Sequence, residues 1–220
     1  MRGQLIVMLK EPRPGRVKTR LGRDMGMVGA AWWFRHQVTR LLREIDDPRW
    51  QVTLAVSPDA QGLQSRVWPA RFARVAQGAG DLGDRMGRVM RSRPPGPVCI
   101  IGGDIPGIRA AHIARAFTAL GRNEAVFGPA PDGGYWLVGL KRVQVPATLF
   151  QGVRWSSEHA LADTIQSLGG ARVALVDRLR DVDTIADLGA ARRALAFAPR
   201  EVGREAGRAV FPDDGGLASC

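Results

Sequence analysis

Six short segments of the sequence carry side chains that could do chemistry. The first is Lys10-Glu11-Pro12-Arg13-Pro14-Gly15-Arg16-Val17-Lys18-Thr19-Arg20-Leu21, in which Lys10, Arg13, Arg16, Lys18 and Arg20 are cations and Gly15 permits close backbone approach. That composition suits a phosphate chain, although a solvated basic loop shares it. It is not a Walker A loop, because that motif needs glycine directly before the lysine and Val17 stands there. The second segment is Gly102-Gly103-Asp104-Ile105-Pro106-Gly107, where a carboxylate follows an apolar run. A hard divalent cation held by one or two carboxylates and substrate phosphates would suit it. The other use of such an aspartate is a turn or helix N-cap, and Asp104 stands several residues early for a helix near Ala110.

Asp181-Val182-Asp183-Thr184 opens the last helical pattern, so Asp183 or Thr184 can cap it; two aspartates two apart can offer one carboxylate to the helix and one to a site. Gln77-Gly78-Ala79-Gly80-Asp81-Leu82-Gly83 is a glycine-rich turn feeding a helix, where backbone N–H groups attract anions or read a base edge. Asp132-Gly133-Gly134-Tyr135-Trp136 holds a carboxylate and the only tyrosine, and Trp155-Ser156-Ser157-Glu158 adds another aromatic. Aromatic faces beside polar groups suit a sugar or a base, while Trp136, within a strand pattern, suits the core equally well. Other chemistries have no support: His36, His112 and His159 stand alone, and there is no nucleophile elbow, catalytic-cysteine signature or GxGxxG after the first strand.

The elements that must position these residues follow from periodicity. The continuous apolar run 5–9 predicts a strand buried on both faces, as parallel sheets contain. Further strands are expected at 52–56, 74–76, 98–101, 125–127, 136–140 and 171–176, with helices at 29–45, 82–90, 110–120, 158–168 and 184–196. In the helix 29–45, Phe34, Val38, Leu41, Leu42 and Ile45 share one face. Alternating strands and helices predict an α/β domain with a largely parallel sheet, in which ligands bind at the carboxyl ends of the strands. Residues 125–140 hold two strand patterns with no helix between them, which predicts one antiparallel strand and a mixed sheet. One domain is expected over 1–197, followed by a loosely ordered tail, 198–220, with few apolar residues.

The 220 residues carry 32 basic and 21 acidic side chains, a net charge of +11. All but three of the bases (Lys10, Lys18 and Lys141) are arginines, spread along the chain without a basic tail or block. Such dispersed charge reads as solvated helix faces, and a nucleic-acid-binding module finds no motif to support it. Two cysteines cannot make a disulfide framework or a four-ligand zinc site, and no apolar run is long enough for a membrane span. A soluble, cytoplasmic protein without a membrane or nucleic-acid partner is expected; the oligomeric state is open.

Taken together, KEPRPGRVKTRL, QGAGDLGDRM, GGDIPGI, GPAPDGGYWLVGL, WSSE and DVDTIADL stand in an order and spacing that resembles the bacterial family DUF2064 over roughly residues 3–196. These are glycosyltransferase A-like proteins, some of them labelled arsenosugar-biosynthesis or radical-SAM/selenodomain-associated transferases. The family is similar to the nucleotide-diphospho-sugar transferases, including phospholactate guanylyltransferases and sugar-nucleotide cytidylyltransferases. The resemblance implies a GT-A, Rossmann-like fold with a mixed, mostly parallel sheet flanked by helices. It implies Mg²⁺ or Mn²⁺ on Asp104, the remnant of a DxD pair whose other positions are Gly102 and Pro106 here, with Asp183 as second ligand through the VDT pattern. Lys10, Lys18 and Arg20 would clamp the phosphates, Gly78, Asp81 and Gly83 would lie near the nucleoside, and Asp132 near the acceptor. Gly15, Gly133, Gly134, Tyr135 and Trp155 complete the expected substrate-binding set. The expected activity is glycosyl transfer from a nucleotide sugar to a small-molecule acceptor, with Asp104, Lys18, Arg20 and Asp132 catalytic. The alternative is nucleotidyl transfer from a nucleoside triphosphate to a phosphorylated small molecule.

Overall fold

The computed structural model describes residues 2–141 and 145–189. Its centre is β1 (Gly3–Lys10), of which the predicted 5–9 is the middle. This strand pairs in parallel with β2 (Trp50–Ser57) on one side and β4 (Val98–Gly102) on the other. Alternate β1 side chains enter two cores, as the two-residue strand period requires. Leu5, Val7 and Leu9 pack with Phe34, Val38, Leu41 and Leu42 of α2 (Met27–Glu44) and Ile113 and Ala116 of α5 (Ala110–Ala119). On the opposite face, Ile6 joins Met86, Val89 and Met90 of α4 (Leu82–Arg91), with α6 (Ala160–Gln166) further along. The apolar stripe predicted for α2 is the one that is buried, and each fully buried Leu or Val there contributes about 1.5–3 kcal/mol.

With β3 (Ala73–Ala76), β5 (Ala125–Pro129), β6 (Tyr135–Leu140) and β7 (Val173–Leu175), the sheet order is β3-β2-β1-β4-β6-β5-β7. Only β6 is antiparallel to its neighbours, β4 and β5, among the described strands. This is the mixed, mostly parallel sheet of a GT-A-like α/β fold. The carboxyl ends of the other six strands and the amino end of β6 therefore share one edge. Register makes the alignment close: Met8 lies opposite Gly102 and Ile101 opposite Leu137. The loops after β1, β3 and β4, the loop before β6 and the segment after β7 thus converge without any long excursion.

Two helices depart from the periodicity reading. α1 (Thr19–Met25) and α3 (Asp59–Leu63) each span fewer than two full turns or little more, too short to show a repeat. The helix expected from 158 begins at Ala160, because Trp155–Ser157 is occupied in turns. Residues 185–189 are helical; the remainder of the helix expected to 196, and the whole tail 198–220, lie outside the described residues. No described helix is long and apolar enough to cross a membrane.

Candidate functional site

At the shared edge, the chain leaving β1 turns through Arg13–Arg16 and delivers Lys18 to the start of α1. Lys18 adopts the left-handed conformation (φ 46°, ψ 47°), which costs a non-glycine residue roughly 1–2 kcal/mol. The tertiary contacts offset that cost. The Nζ of Lys18 lies 2.7 Å from Asp104 Oδ2 and donates to Asp183 Oδ1, also at 2.7 Å, while only 6% of the side chain is exposed. Burial pulls the ammonium toward neutrality, but the Asp104 charge and its hydrogen bond, with those of Asp183, outweigh it and hold Lys18 above its ordinary value. It is a fixed positive charge rather than a base at neutral pH.

Asp104 follows β4 after Gly103, where a Cβ would run into the Leu9 side chain and require it to shift. Asp183 arrives from the segment after β7. Val182 is fully buried against Leu21, Ala30 and Leu188, and the alternation about it turns Asp181 and Asp183 together toward the edge. Asp104, Asp181 and Asp183 each offer an oxygen within 4.8 Å of the other two. Burial, and then the neighbouring Asp183 charge, push the Asp181 carboxyl up to about 6. Three carboxylates and one ammonium leave two net negative charges, the complement of a divalent cation, and hard oxygen donors suit Mg²⁺ or Mn²⁺. The donor set thus fits the group implied by the sequence. Thr184, not Asp183, caps the helix start: its Oγ1 accepts from the Asp187 N–H, and Asp187 Oδ2 in return accepts from the N–H groups of Asp183 and Thr184.

Two cavities meet at this cluster and share Arg20, Leu82, Gly102, Asp104 and Asp183. The first, about 610 Å³, runs under the β1 loop past Lys10, Arg16, Lys18 and Arg85 to Gln77 and Asp81. It opens onto a smaller basic recess of about 370 Å³ that adds Arg13. Buried Gln77 donates to the carbonyls of Leu9 (3.0 Å) and Ala55 (2.8 Å), tying the ends of three strands into its floor. The second cavity, about 510 Å³, extends toward β6 between Asp132, Tyr135 and Trp136 on one wall and Trp155–Glu158 on the other. Gly133 holds these walls together: its φ is +84°, and a Cβ would collide with the Glu158 backbone.

The expected residues take different parts. Lys10, Lys18, Arg20, Asp81, Asp104, Asp132, Gly134, Tyr135, Trp155 and Asp183 all line one or both cavities. Arg20 is largely exposed and 3.6 Å from Asp183, free to swing toward a ligand. Asp132 lines the cavity; its Oδ1 accepts from the Gly134 N–H, and its Oδ2 has no hydrogen-bond partner among the described residues. Tyr135 places its hydroxyl 3.3 Å from Thr164 Oγ1, and burial pushes it far above the ordinary phenol range. Asp81 caps α4, accepting from Asp84, and its second oxygen accepts from the Trp155 indole at 3.2 Å. Gly83 is the contact point of that pairing, since a Cβ would come within 2.6 Å of Phe150 and 2.8 Å of Trp155. Gly15 sits in an open turn with nothing near a notional Cβ, and Gly78 lies beside Arg88. Trp136 is core: 2% exposed, its indole donates to Asp177 O. Asp181 and Arg85 were not singled out from sequence; the available signal for Asp181 was the D-V-D alternation about an apolar residue.

Comparison with solved structures agrees with this architecture. The chain superposes on a candidate nucleotide-diphospho-sugar transferase of Desulfovibrio desulfuricans G20 with a TM-score of 0.77 at 27% identity, covering 88% of each chain. It matches 4-diphosphocytidyl-2C-methyl-D-erythritol synthase of Anaerococcus prevotii DSM 20548 at a TM-score of 0.58 and 12% identity, over 89% of this chain and 96% of that one. A protein of Mycobacterium tuberculosis H37Rv in complex with manganese matches at 0.52 and 18%, over 87% and 97%. At the latter two identities the likeness is one of fold. No curated protein matches the chain. The model of DUF2064, a family described as uncharacterized protein conserved in bacteria, matches residues 41–157, and the chain belongs to that family.

Proposed function

We propose that this chain is a divalent-cation-dependent transferase that takes a nucleotide sugar and passes the sugar to a small-molecule acceptor. The observation that carries the reading is the seating of Lys18 between Asp104 and Asp183, beside Asp181, where a basic cavity meets an aromatic and acidic one. Lys10, Arg16, Arg20 and Arg85 bind the phosphates, and Gly78, Asp81 and Gly83 lie on the nucleoside side. Asp104, Asp181 and Asp183 hold Mg²⁺ or Mn²⁺, which when bound neutralises phosphate charge as a Lewis acid. A fold relative solved with manganese supports that choice of metal class.

Lys18 remains protonated and opposes the charge that develops on the departing diphosphate, already oriented by its two carboxylates. Asp132 receives the acceptor's hydroxyl proton on Oδ2, held in place by the Gly134 N–H at its other oxygen. Tyr135 and Trp155 flank the acceptor. A second reading, nucleotidyl transfer, is favoured by the same lysine, since a cation at the metal carboxylates would also serve an α-phosphate.

A thermal-shift screen of nucleoside diphosphates, triphosphates and nucleotide sugars, each with Mg²⁺, Mn²⁺ or EDTA, tests the reading. Stabilisation by a nucleotide only when the cation is present is the expected result, and equal stabilisation in EDTA would overturn it. Nucleoside diphosphate as product marks glycosyl transfer, and pyrophosphate marks nucleotidyl transfer.

A further inference from the structure

We propose that the β6-side cavity selects an acceptor that bears no anionic group and presents hydroxyl or amino donors, such as an unphosphorylated sugar or polyol; this rests on the transferase reading above. The two cavities that meet at the carboxylate cluster differ in sign. The β1-side cavity sets Lys10, Arg16, Lys18, Arg20 and Arg85 against Asp81, Asp104 and Asp183, and the recess it opens onto adds Arg13 and Glu11, so cations outnumber acids there. Across the cluster, the β6-side cavity adds Asp132, Glu158 and Asp181, and among the described residues that line it the one cation is Arg20, on the shared rim. Arg20 is already drawn toward Asp183.

Ionised carboxylates accept hydrogen bonds and donate none, so Asp132 Oδ2 and Glu158 call for donors from the ligand. Hydroxyl or amino groups supply them. A phosphate or carboxylate supplies acceptors only and meets like charge, and a cation on the triad leaves Asp132 without an ion-pair partner among the described residues, while largely exposed Glu158 has the His159 imidazole 3.7 Å away. The aromatic wall agrees with this chemistry. Tyr135 has its hydroxyl engaged with Thr164 and Trp155 has its indole N–H engaged with Asp81, so both contribute ring surface of the kind that packs against the C–H face of a sugar. The molecule thus sorts its two substrates by charge, the phosphate chain to one end and the uncharged acceptor to the other. Nucleotidyl transfer to a phosphorylated acceptor has no cationic pocket on that side among the described residues.

Calorimetry on the full-length chain with Mn²⁺, with and without saturating nucleoside diphosphate, tests this with matched probes: glucose, glucosamine and glycerol against glucose 6-phosphate, gluconate and glycerol 3-phosphate. The expected result is at least roughly tenfold tighter binding of an uncharged or amino probe than of its anionic counterpart. The Asp132→Asn/Glu158→Gln double variant should shrink that preference about tenfold. Tighter binding of an anionic probe, silence from every non-anionic probe, or an unchanged preference in the double variant overturns the proposal. Failure of the nucleoside diphosphate to bind with Mn²⁺ counts against the transferase reading instead, and the arm without nucleotide still reports the charge preference.

Discussion

Lys18 and Asp104 are joined 2.7 Å apart across the strand ends of β1 and β4, and Asp183 meets the same ammonium at the same distance. One side chain therefore fixes three separate chain segments at the point where the two cavities touch.

Replacing Lys18 with Met removes the charge but keeps much of the volume. Asp104 and Asp183 are then left facing each other without compensation. Both are about a third or more exposed, so the cost is expected at about 1–2 kcal/mol, below the several kcal/mol of a fully buried pair. Thermal unfolding should show the variant less stable than wild type, and more strongly stabilised by Mn²⁺. Turnover should fall by about a hundredfold or more, the loss typical of a removed transition-state charge.

Asp181→Asn should weaken Mn²⁺ binding by roughly 10-fold or more, as should Asp104→Asn and Asp183→Asn, because each carboxylate offers one oxygen to the same cluster. Titration calorimetry of the three variants measures this directly. Wild-type affinity in Asp181→Asn would reduce the ligand set to the pair on either side of Lys18.

Gly133→Ala forces a Cβ into the Glu158 backbone at a left-handed position. Local displacement of the Trp155–Glu158 wall is expected, with a stability loss of about 1–3 kcal/mol. Urea unfolding gives the cost. A rise in acceptor KM with nucleotide affinity retained would locate the damage on the β6 side.

Asp163 pins that wall from behind. Its carboxylate accepts from the Arg154 guanidinium and backbone N–H, and the side-chain bonds, first, then the backbone bond hold it well below the ordinary carboxylate range. A depressed value means the contribution is complete above the unfolded value near 4 and is lost as pH falls through the lower folded value. The stability difference between wild type and Asp163→Asn should therefore stay level from pH 7 to about 4 and close below it. A difference that closes between pH 7 and 5 would point to another group.

Strand ends make several of these residues legible in the sequence as candidates. Asp104 stands just behind a continuous apolar run, so its arrival at the edge follows from the parallel sheet, whereas Lys18 reaches the same edge only through the loop after β1. Asp183 is recognisable in the sequence only as a residue with two uses, cap or ligand, and the structure gives the cap to Thr184, the other candidate. Asp181 escaped for the same reason: whether a D-V-D pair faces inward depends on Val182 finding Leu21, Ala30 and Leu188, which are distant in sequence. Tyr135 and Asp81 are legible as candidates, but not the partners that occupy their polar atoms, since Thr164 comes from α6 and Trp155 from the loop before it. The sheet order was similarly beyond local pattern. That one strand near 125–140 is antiparallel follows from the missing crossover helix, whereas the insertion of β6 between β4 and β5 is decided by long-range pairing.

That insertion draws a seam down the sheet between β4 and β6. The cations proposed to grip the phosphates hang from the β1–β4 side, and most of what would meet the acceptor hangs from β5, β6 and β7 on the other, with Asp181 and Asp183 reaching back to the cluster from β7. Loops on one bank can change in length or composition without disturbing the register of the opposite bank. A lineage could exchange acceptors while inheriting its phosphate grip, and grafting the 129–135 and 150–159 loops between family members, with Phe150 and Trp155 kept because they contact Gly83 and Asp81, is the corresponding engineering route.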